Sequence, residues 1–202
     1  SIEVQVGDNA AVEEIFRHAH HITRLKVDCT RVTPSPMEPR ACLSSYDASD
    51  DTYTIRVCLQ GVAAMTGQIA AYMGIPQERL KVLGRDVGGG FGQRSTVYPE
   101  YCMTLYAAKQ LGRPVKWVSS RSEGFMTDTH GRGNIGSGEL AIDASGRFVA
   151  LRFDWITDQG GYIASGGVGY LRNIINCLTG VYAIPVAHAR FRVALDRGNV
   201  EC

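Results

Sequence analysis

The chain has 202 residues, 21 lysines and arginines against 20 aspartates and glutamates, and a hydrophobic content of 45%. That charge balance gives no electrostatic case for nucleic acid or an anionic membrane surface, and no apolar run approaches the roughly 20 residues of a membrane helix. The N-terminus has neither the basic nor the apolar region of a signal peptide, which would also be true of a mature chain, and a cytoplasmic location is expected.

Ile2–Val6 alternates as a short strand, and Gly7-Asp8 offers a turn and a helix N-cap. Val12, Ile15, Phe16 and Ala19 then recur at helical spacing, which predicts a helix over 9–21, followed by a strand over 22–32. The run Thr33-Pro34-Ser35-Pro36-Met37-Glu38-Pro39 must be extended or turning, because each proline biases its predecessor away from helix. Ala41–Tyr46 and Tyr53–Cys58 read as a hairpin across the polar loop Asp47–Asp51. Val62, Met65, Ile69 and Met73 mark one helix face, with Gly74 and Pro76 as its stop.

Lys81–Leu83 reads as a short strand. A helix over about 96–111 carries Val97, Tyr101, Leu105 and Ala108 on one stripe and stops at Gly112 and Pro114. Val115–Ser119 is a strand, and a second hairpin joins 135–142 to 147–156. On its second arm Val149, Leu151, Phe153 and Trp155 share one face, Arg152 and Asp154 the other. Clustered glycines make 159–169 irregular, and a strand is expected at 189–195. Helices mixed with hairpins predict an α+β fold with mixed or antiparallel sheets rather than a doubly wound one. There is no repeat and no clear linker; residues 1–202 read as one domain, or as two subdomains with a boundary near 120–133.

Six cysteines (Cys29, Cys42, Cys58, Cys102, Cys177 and Cys202) include no CxxC pair and match neither a zinc nor an iron–sulfur pattern. Buried, reduced thiols are expected. His18, His20 and His21 lack a carboxylate or cysteine to complete a metal set, and a solvated helix face is the simpler reading.

The chemistry-bearing stretch is Asp86-Val87-Gly88-Gly89-Gly90-Phe91-Gly92-Gln93-Arg94, between a strand and a helix. Such glycines allow positive φ and close approach of backbone to a ligand, and N–H groups ahead of a helix can receive an oxyanion, a phosphate or a metal-oxo group. Alone the run is a weak signal, equally compatible with a packing turn. It lacks the Gly-Lys-Ser/Thr of a phosphate-binding loop and the GxGxxG spacing of a dinucleotide site.

Around it stand Gln60, Tyr98-Pro99-Glu100, Gly112-Arg113-Pro114-Val115-Lys116-Trp117, Arg121-Ser122-Glu123-Gly124-Phe125, His130-Gly131-Arg132 and, upstream, Met37-Glu38-Pro39-Arg40. In that order, over roughly residues 7 to 165, they resemble the large subunit of molybdenum hydroxylases, the group of xanthine dehydrogenase, aldehyde oxidases and carbon monoxide dehydrogenase.

The resemblance implies the α+β fold of that subunit's first molybdopterin-binding domain. It assigns Gln60 as donor toward an oxygen ligand of molybdenum, for which an uncharged amide is suited; satisfaction of Gln60 by nearby backbone is the rival reading. It places Gly89, Gly90, Phe91 and Gly92 against the cofactor, although the Phe91 ring has an alternative use in core packing. Ser95 falls where some xanthine-type members bind substrate with a glutamate, which leaves the substrate open. Glu38 and Glu100 sit in motifs that read as structural, His130-Gly131-Arg132 as a loop-shaping element, and Arg94 merely keeps a charge where lysine is common.

The activity implied is hydroxylation of an aldehyde or N-heterocycle with water-derived oxygen. The cofactor implied is molybdenum-molybdopterin in the cytosine dinucleotide form, with 2Fe-2S and FAD in partner subunits or domains. No catalytic residue and no direct protein ligand to metal is assigned here. The glutamate base belongs to a later part of the family's large subunit, and Asp196-Arg197-Gly198-Asn199 departs from the family's arginine-containing loop. The chain is therefore expected to be a piece of a longer subunit, inactive alone. The competing expectation is a stand-alone ligand-binding or subunit-interaction domain of the same fold.

Overall fold

The computed structural model describes residues 2–164 and 169–196. The chain folds as two compact units, one joining the residues up to Val32 with those from His130 onward, the other spanning Thr33–Thr129.

The first unit is a five-stranded sheet in the order β1 (Ile2–Gly7), β9 (Val186–Ala194), β8 (Phe148–Asp158), β7 (Asn134–Ile142), β2 (His21–Cys29). Its pairs are antiparallel except β8 with β9, which run parallel. Helix α1 (Asn9–His18) starts where Asp8 Oδ1 accepts the Ala11 N–H at 2.9 Å. It stops three residues short of the predicted end and seats Val12 and Phe16 on Ala141 and Ala150. On the opposite sheet face, by the alternation of a strand, Phe153 and Trp155 pack with Phe191, Val193 and Leu171 of α5 (Gly169–Asn176). A bulge between β7 and β8 puts Val149 in the α1 cluster rather than with Phe153, as simple alternation had suggested. Gly169 opens a helix where irregular structure was expected; Gly166 and Gly167 lie outside the described residues, as does the 197–202 stretch.

The second unit is a four-stranded sheet in the order β5 (Leu80–Leu83), β4 (Thr52–Val57), β3 (Ala41–Asp47), β6 (Val115–Val118). The predicted β3–β4 hairpin pairs Tyr46 with Tyr53, while β5 joins β4 in parallel. Helices α2 (Val62–Met73) and α3 (Pro99–Leu111) bury Met65, Ile69, Tyr101 and Leu105 against Ile55, Val57 and Val82. Gly74 ends α2 in the left-handed conformation. Helix α3 begins three residues later than predicted because Pro99 takes its first position, where the missing N–H costs nothing. A further helix, α4 (Arg121–Thr127), was not foreseen; Ser120 and Glu123 cap it reciprocally.

All described cysteines are free thiols, and the expectation of burial holds for Cys42 and Cys58 but not for Cys29 and Cys177, which are exposed. No helix among the described residues is long and apolar enough to cross a membrane.

Candidate functional site: the glycine loop and its braces

The loop between β5 and α3 lies within the second unit and is held from three sides. Gln60, just ahead of α2, turns its side-chain oxygen into the loop, where Oε1 accepts the N–H groups of Gly92 at 3.0 Å and Arg94 at 3.3 Å. Two N–H donors identify that atom as the oxygen and fix the orientation of the amide. The Gln60 backbone N–H in turn reaches the Arg94 carbonyl at 2.8 Å. The Gln60 NH2 group is left without a hydrogen bond to any described residue, on an exposed side chain. The rival reading of Gln60 thus holds for its oxygen, which is satisfied by backbone, while its donors meet no described residue.

Gly90 lies directly under this amide, and a Cβ there would fall 2.6 Å from Gln60 Cδ. Only glycine fits. Gly89 (φ 112°), Phe91 (φ 52°) and Gly92 (φ 95°) all take left-handed or otherwise positive φ. For Phe91 that is a strained choice, and its ring is 72% exposed, so packing into this chain's core does not hold it there. The backbone N–H groups of Gly90 and Phe91 bond to no described residue. Ser95 is exposed, and its hydroxyl donates to the Gly92 carbonyl at 2.5 Å.

Below the loop the remaining motifs interlock. Arg40 is 1% exposed; its guanidinium donates to Glu100 Oε2 at 2.9 Å, to Thr127 Oγ1 at 2.9 Å and to Asp128. Burial works against that charge, but the bonds to Glu100 and Asp128 outweigh it and hold the Arg40 pKa above its ordinary value. Arg94, also 1% exposed, donates to the Glu38 carbonyl at 2.8 Å, and its Nη1 lies 3.5 Å from Asp128 Oδ2, an ion pair without hydrogen-bond geometry.

Gln93 is fully buried and donates to the carbonyls of Pro34 and Thr129. The Cys58 thiol meets the Gly89 carbonyl at 3.9 Å; burial, and then neighbouring Glu38, push its pKa up, so it stays a neutral thiol. An adjacent cavity of about 290 Å³ includes Glu38, Cys58 and Asp86 but neither Gln60 nor Phe91.

The structure therefore gathers Gln60, Gly89, Gly90, Phe91, Gly92 and Ser95 into one loop region. Sequence reasoning missed Arg40, Arg94, Gln93 and Asp128 as its supports. The one available signal was that several sit inside the quoted motifs; a charged side chain otherwise reads as surface.

The donors suit an oxygen-rich anionic group: a free carboxamide NH2 directly over Gly90, with free N–H groups at Gly90 and Phe91. Molybdopterin with its metal is such a group, and these residues fit it.

Comparison with known proteins agrees. The profile of the molybdopterin cofactor-binding domain family matches residues 1–196. The carbon monoxide dehydrogenase large chain of Hydrogenophaga pseudoflava is 31% identical over 90% of this chain and 23% of its own length. The nicotine 6-hydroxylase large subunit of Paenarthrobacter nicotinovorans is 32% identical over 87% of this chain and 22% of its own. Among solved structures, a Cu,Mo-CO dehydrogenase superposes with a TM-score of 0.90 at 27% identity, covering 100% of this chain and 25% of that one. Quinoline 2-oxidoreductase of Pseudomonas putida 86 gives 0.89 at 28%, covering 99% and 26%. The chain thus spans about a quarter of the length of these relatives. It belongs to the molybdopterin cofactor-binding domain family and has the α+β fold of the molybdenum hydroxylase large subunit.

Proposed function

We propose that this chain forms one wall of the molybdenum-cofactor pocket in the large subunit of an oxidoreductase that hydroxylates an aldehyde or N-heterocycle. The observation that carries the reading is the split role of Gln60, whose oxygen is locked onto Gly92 and Arg94 while its NH2 group stays free. When bound, the cofactor supplies two-electron redox chemistry with water-derived oxygen. The chain's own residues bind and orient. Gln60 donates from a fixed position without adding charge beside an anionic centre, and Gly89–Gly92 give backbone donors and close approach. Ser95 borders the substrate side of the same loop; its hydroxyl is already engaged with Gly92, which leaves it a short wall residue rather than a charged anchor.

No catalytic base is assigned in this chain: Glu38 is bonded to Gly88 and Glu100 to Arg40. The base is expected in the part of the large subunit beyond the matched quarter, so the chain alone is expected to be inactive. The relatives' names include a large subunit and a subunit of a dehydrogenase complex. That supports further subunits; 2Fe-2S and FAD in those subunits, a cytosine dinucleotide form of the pterin and a cytoplasmic location belong to the same proposal on the family resemblance alone.

The test is elemental analysis of the complete protein expressed with its partner subunits, in a host that loads a control enzyme. About one molybdenum per large subunit is expected. Its absence beside a loaded control would mean that the fold has been kept as a binding or interaction domain without the chemistry. In the loaded protein, Gln60→Ala is expected to lower turnover with little change in thermal midpoint; unchanged turnover at full molybdenum content would remove Gln60 from the site.

A further inference from the structure

Three consecutive glycines give a loop its close approach but no rigidity, since glycine has the largest backbone freedom to lose. A loop that must hold positive φ at Gly89, Phe91 and Gly92 needs an outside brace. Gln60 supplies one at the far end. At the near end the brace is Glu38, whose Oε2 accepts the Gly88 N–H at 2.7 Å while its own N–H donates to the Gly88 carbonyl at 3.1 Å. The fit is close enough that a Cβ on Gly88 would come within 2.5 Å of Glu38 Cβ.

The backbone that carries Glu38 is itself fixed. Gln93 donates to the Pro34 carbonyl at 3.0 Å, Arg121 to those of Pro36 and Met37 at 2.8 Å each, and buried Arg94 to that of Glu38 at 2.8 Å. Three side chains from other parts of the unit thus hold segment 34–38 by its carbonyls and leave the Glu38 carboxylate to serve the loop.

We propose, resting on the cofactor reading above, that Glu38 is the positioning residue of the glycine loop: its carboxylate fixes the Gly88 peptide so that Gly90–Gly92 keeps the course on which molybdopterin is seated. Without it the Gly88 N–H turns to water, and the glycine run samples other conformations. The acceptor oxygen is what matters, so glutamine at this position retains much of the function and alanine does not.

The test uses the complete protein with its partner subunits, as wild type, E38Q and E38A. It measures amide hydrogen exchange of the peptide covering residues 84–95, molybdenum per large subunit, and thermal midpoint. In E38A loop exchange is expected to rise about tenfold, the effect of one charge-assisted hydrogen bond, and most of the molybdenum is lost at a nearly unchanged midpoint. E38Q, which keeps the acceptor oxygen without its charge, is expected between wild type and E38A in loop exchange and close to wild type in molybdenum and midpoint. Wild-type exchange in E38A, or faster exchange with full molybdenum, would overturn the proposal. So would midpoint and molybdenum falling together in E38A with no rescue by E38Q, since Glu38 would then serve folding alone. A wild type without molybdenum beside a loaded control sinks the cofactor reading itself. A loaded wild type with an equally loaded E38A sinks only the role of Glu38.

Discussion

The Arg40 guanidinium lies over the Tyr98 ring, 3.8 Å from its centre, while its edge is bonded to Glu100, Thr127 and Asp128. A cation fully out of water is tolerable only with partners on every donor and a π face beneath it. This stack ties together three segments far apart in sequence, at residues 40, 98–100 and 127–128.

Removing one side of such an arrangement leaves carboxylates stranded. Arg40→Met is expected to destabilise the protein by about 3 kcal/mol, the usual cost of breaking a buried pair from one side. Arg40→Lys is expected to recover only part of it, because a compact ammonium lacks the planar fork that meets Glu100, Thr127 and Asp128 from separate edges while stacking on Tyr98. Denaturant unfolding measures both; a loss under about 1 kcal/mol for the methionine variant would mean that Asp128 and Glu100 find other donors.

Phe91 predicts the opposite kind of result. Its ring is exposed and its backbone strained, so Phe91→Gly trades relief of the left-handed conformation against added freedom in the unfolded chain. The net change in stability is expected to stay within about 1 kcal/mol, against the roughly 3–5 kcal/mol of truncating a core phenylalanine. A core-sized loss in the same unfolding assay would contradict the exposed position of the ring.

The cysteines offer a chemical check. Burial raises the pKa of the Cys42 thiol, and that of Cys58 likewise, so the reactive thiolate is depleted at neutral pH in both. Cys29 and Cys177 are exposed. Limited alkylation read by peptide mass spectrometry is expected to modify Cys29 and Cys177 first. Cys42 and Cys58 should react only as the pH is raised or the protein unfolded; their early modification at neutral pH would contradict the packing around them.

Ser120 accepts the Glu123 N–H at 3.1 Å, and Glu123 Oε2 accepts that of Ser120 at 3.3 Å. Ser120→Ala is expected to cost about 1 kcal/mol, with Ser120→Asp close to neutral because an aspartate can accept the same bond. Equal losses in the two variants would argue that the cap contributes little.

That capping box was legible in the sequence as Ser120-Arg121-Ser122-Glu123, yet the helix behind it has seven residues and no apolar stripe to announce it. Where the hydrophobic period was long, as in Met65–Ile69 or Tyr101–Leu105–Ala108, the element and its buried face were legible together. The parallel partners β4–β5 and β8–β9 were not, because strand direction depends on what lies between the strands rather than on their own pattern. The glycine loop and Gln60 were readable through their motifs. The supports beneath them were not, because an arginine such as Arg40 or Arg94 reveals its burial only when distant carboxylates and carbonyls meet it. Likewise, only the pairing of β1 with β9, of β2 with β7 and of Val32 with Gly131 shows that the first 32 residues belong with those after His130.

Those pairings set an order of assembly. Strands β1 and β2 complete their ladders only with β9 and β7, whereas every sheet partner of residues 33–129 lies within that segment. On a ribosome adding roughly 5–20 residues per second, β1 and β2 emerge before β9 and β7 and wait on the order of ten seconds while the glycine-loop unit is made and can fold behind them. Until β7 appears, β2 presents an open edge, so the interval between the synthesis of these two strands is one in which a chaperone has an unpaired strand to protect.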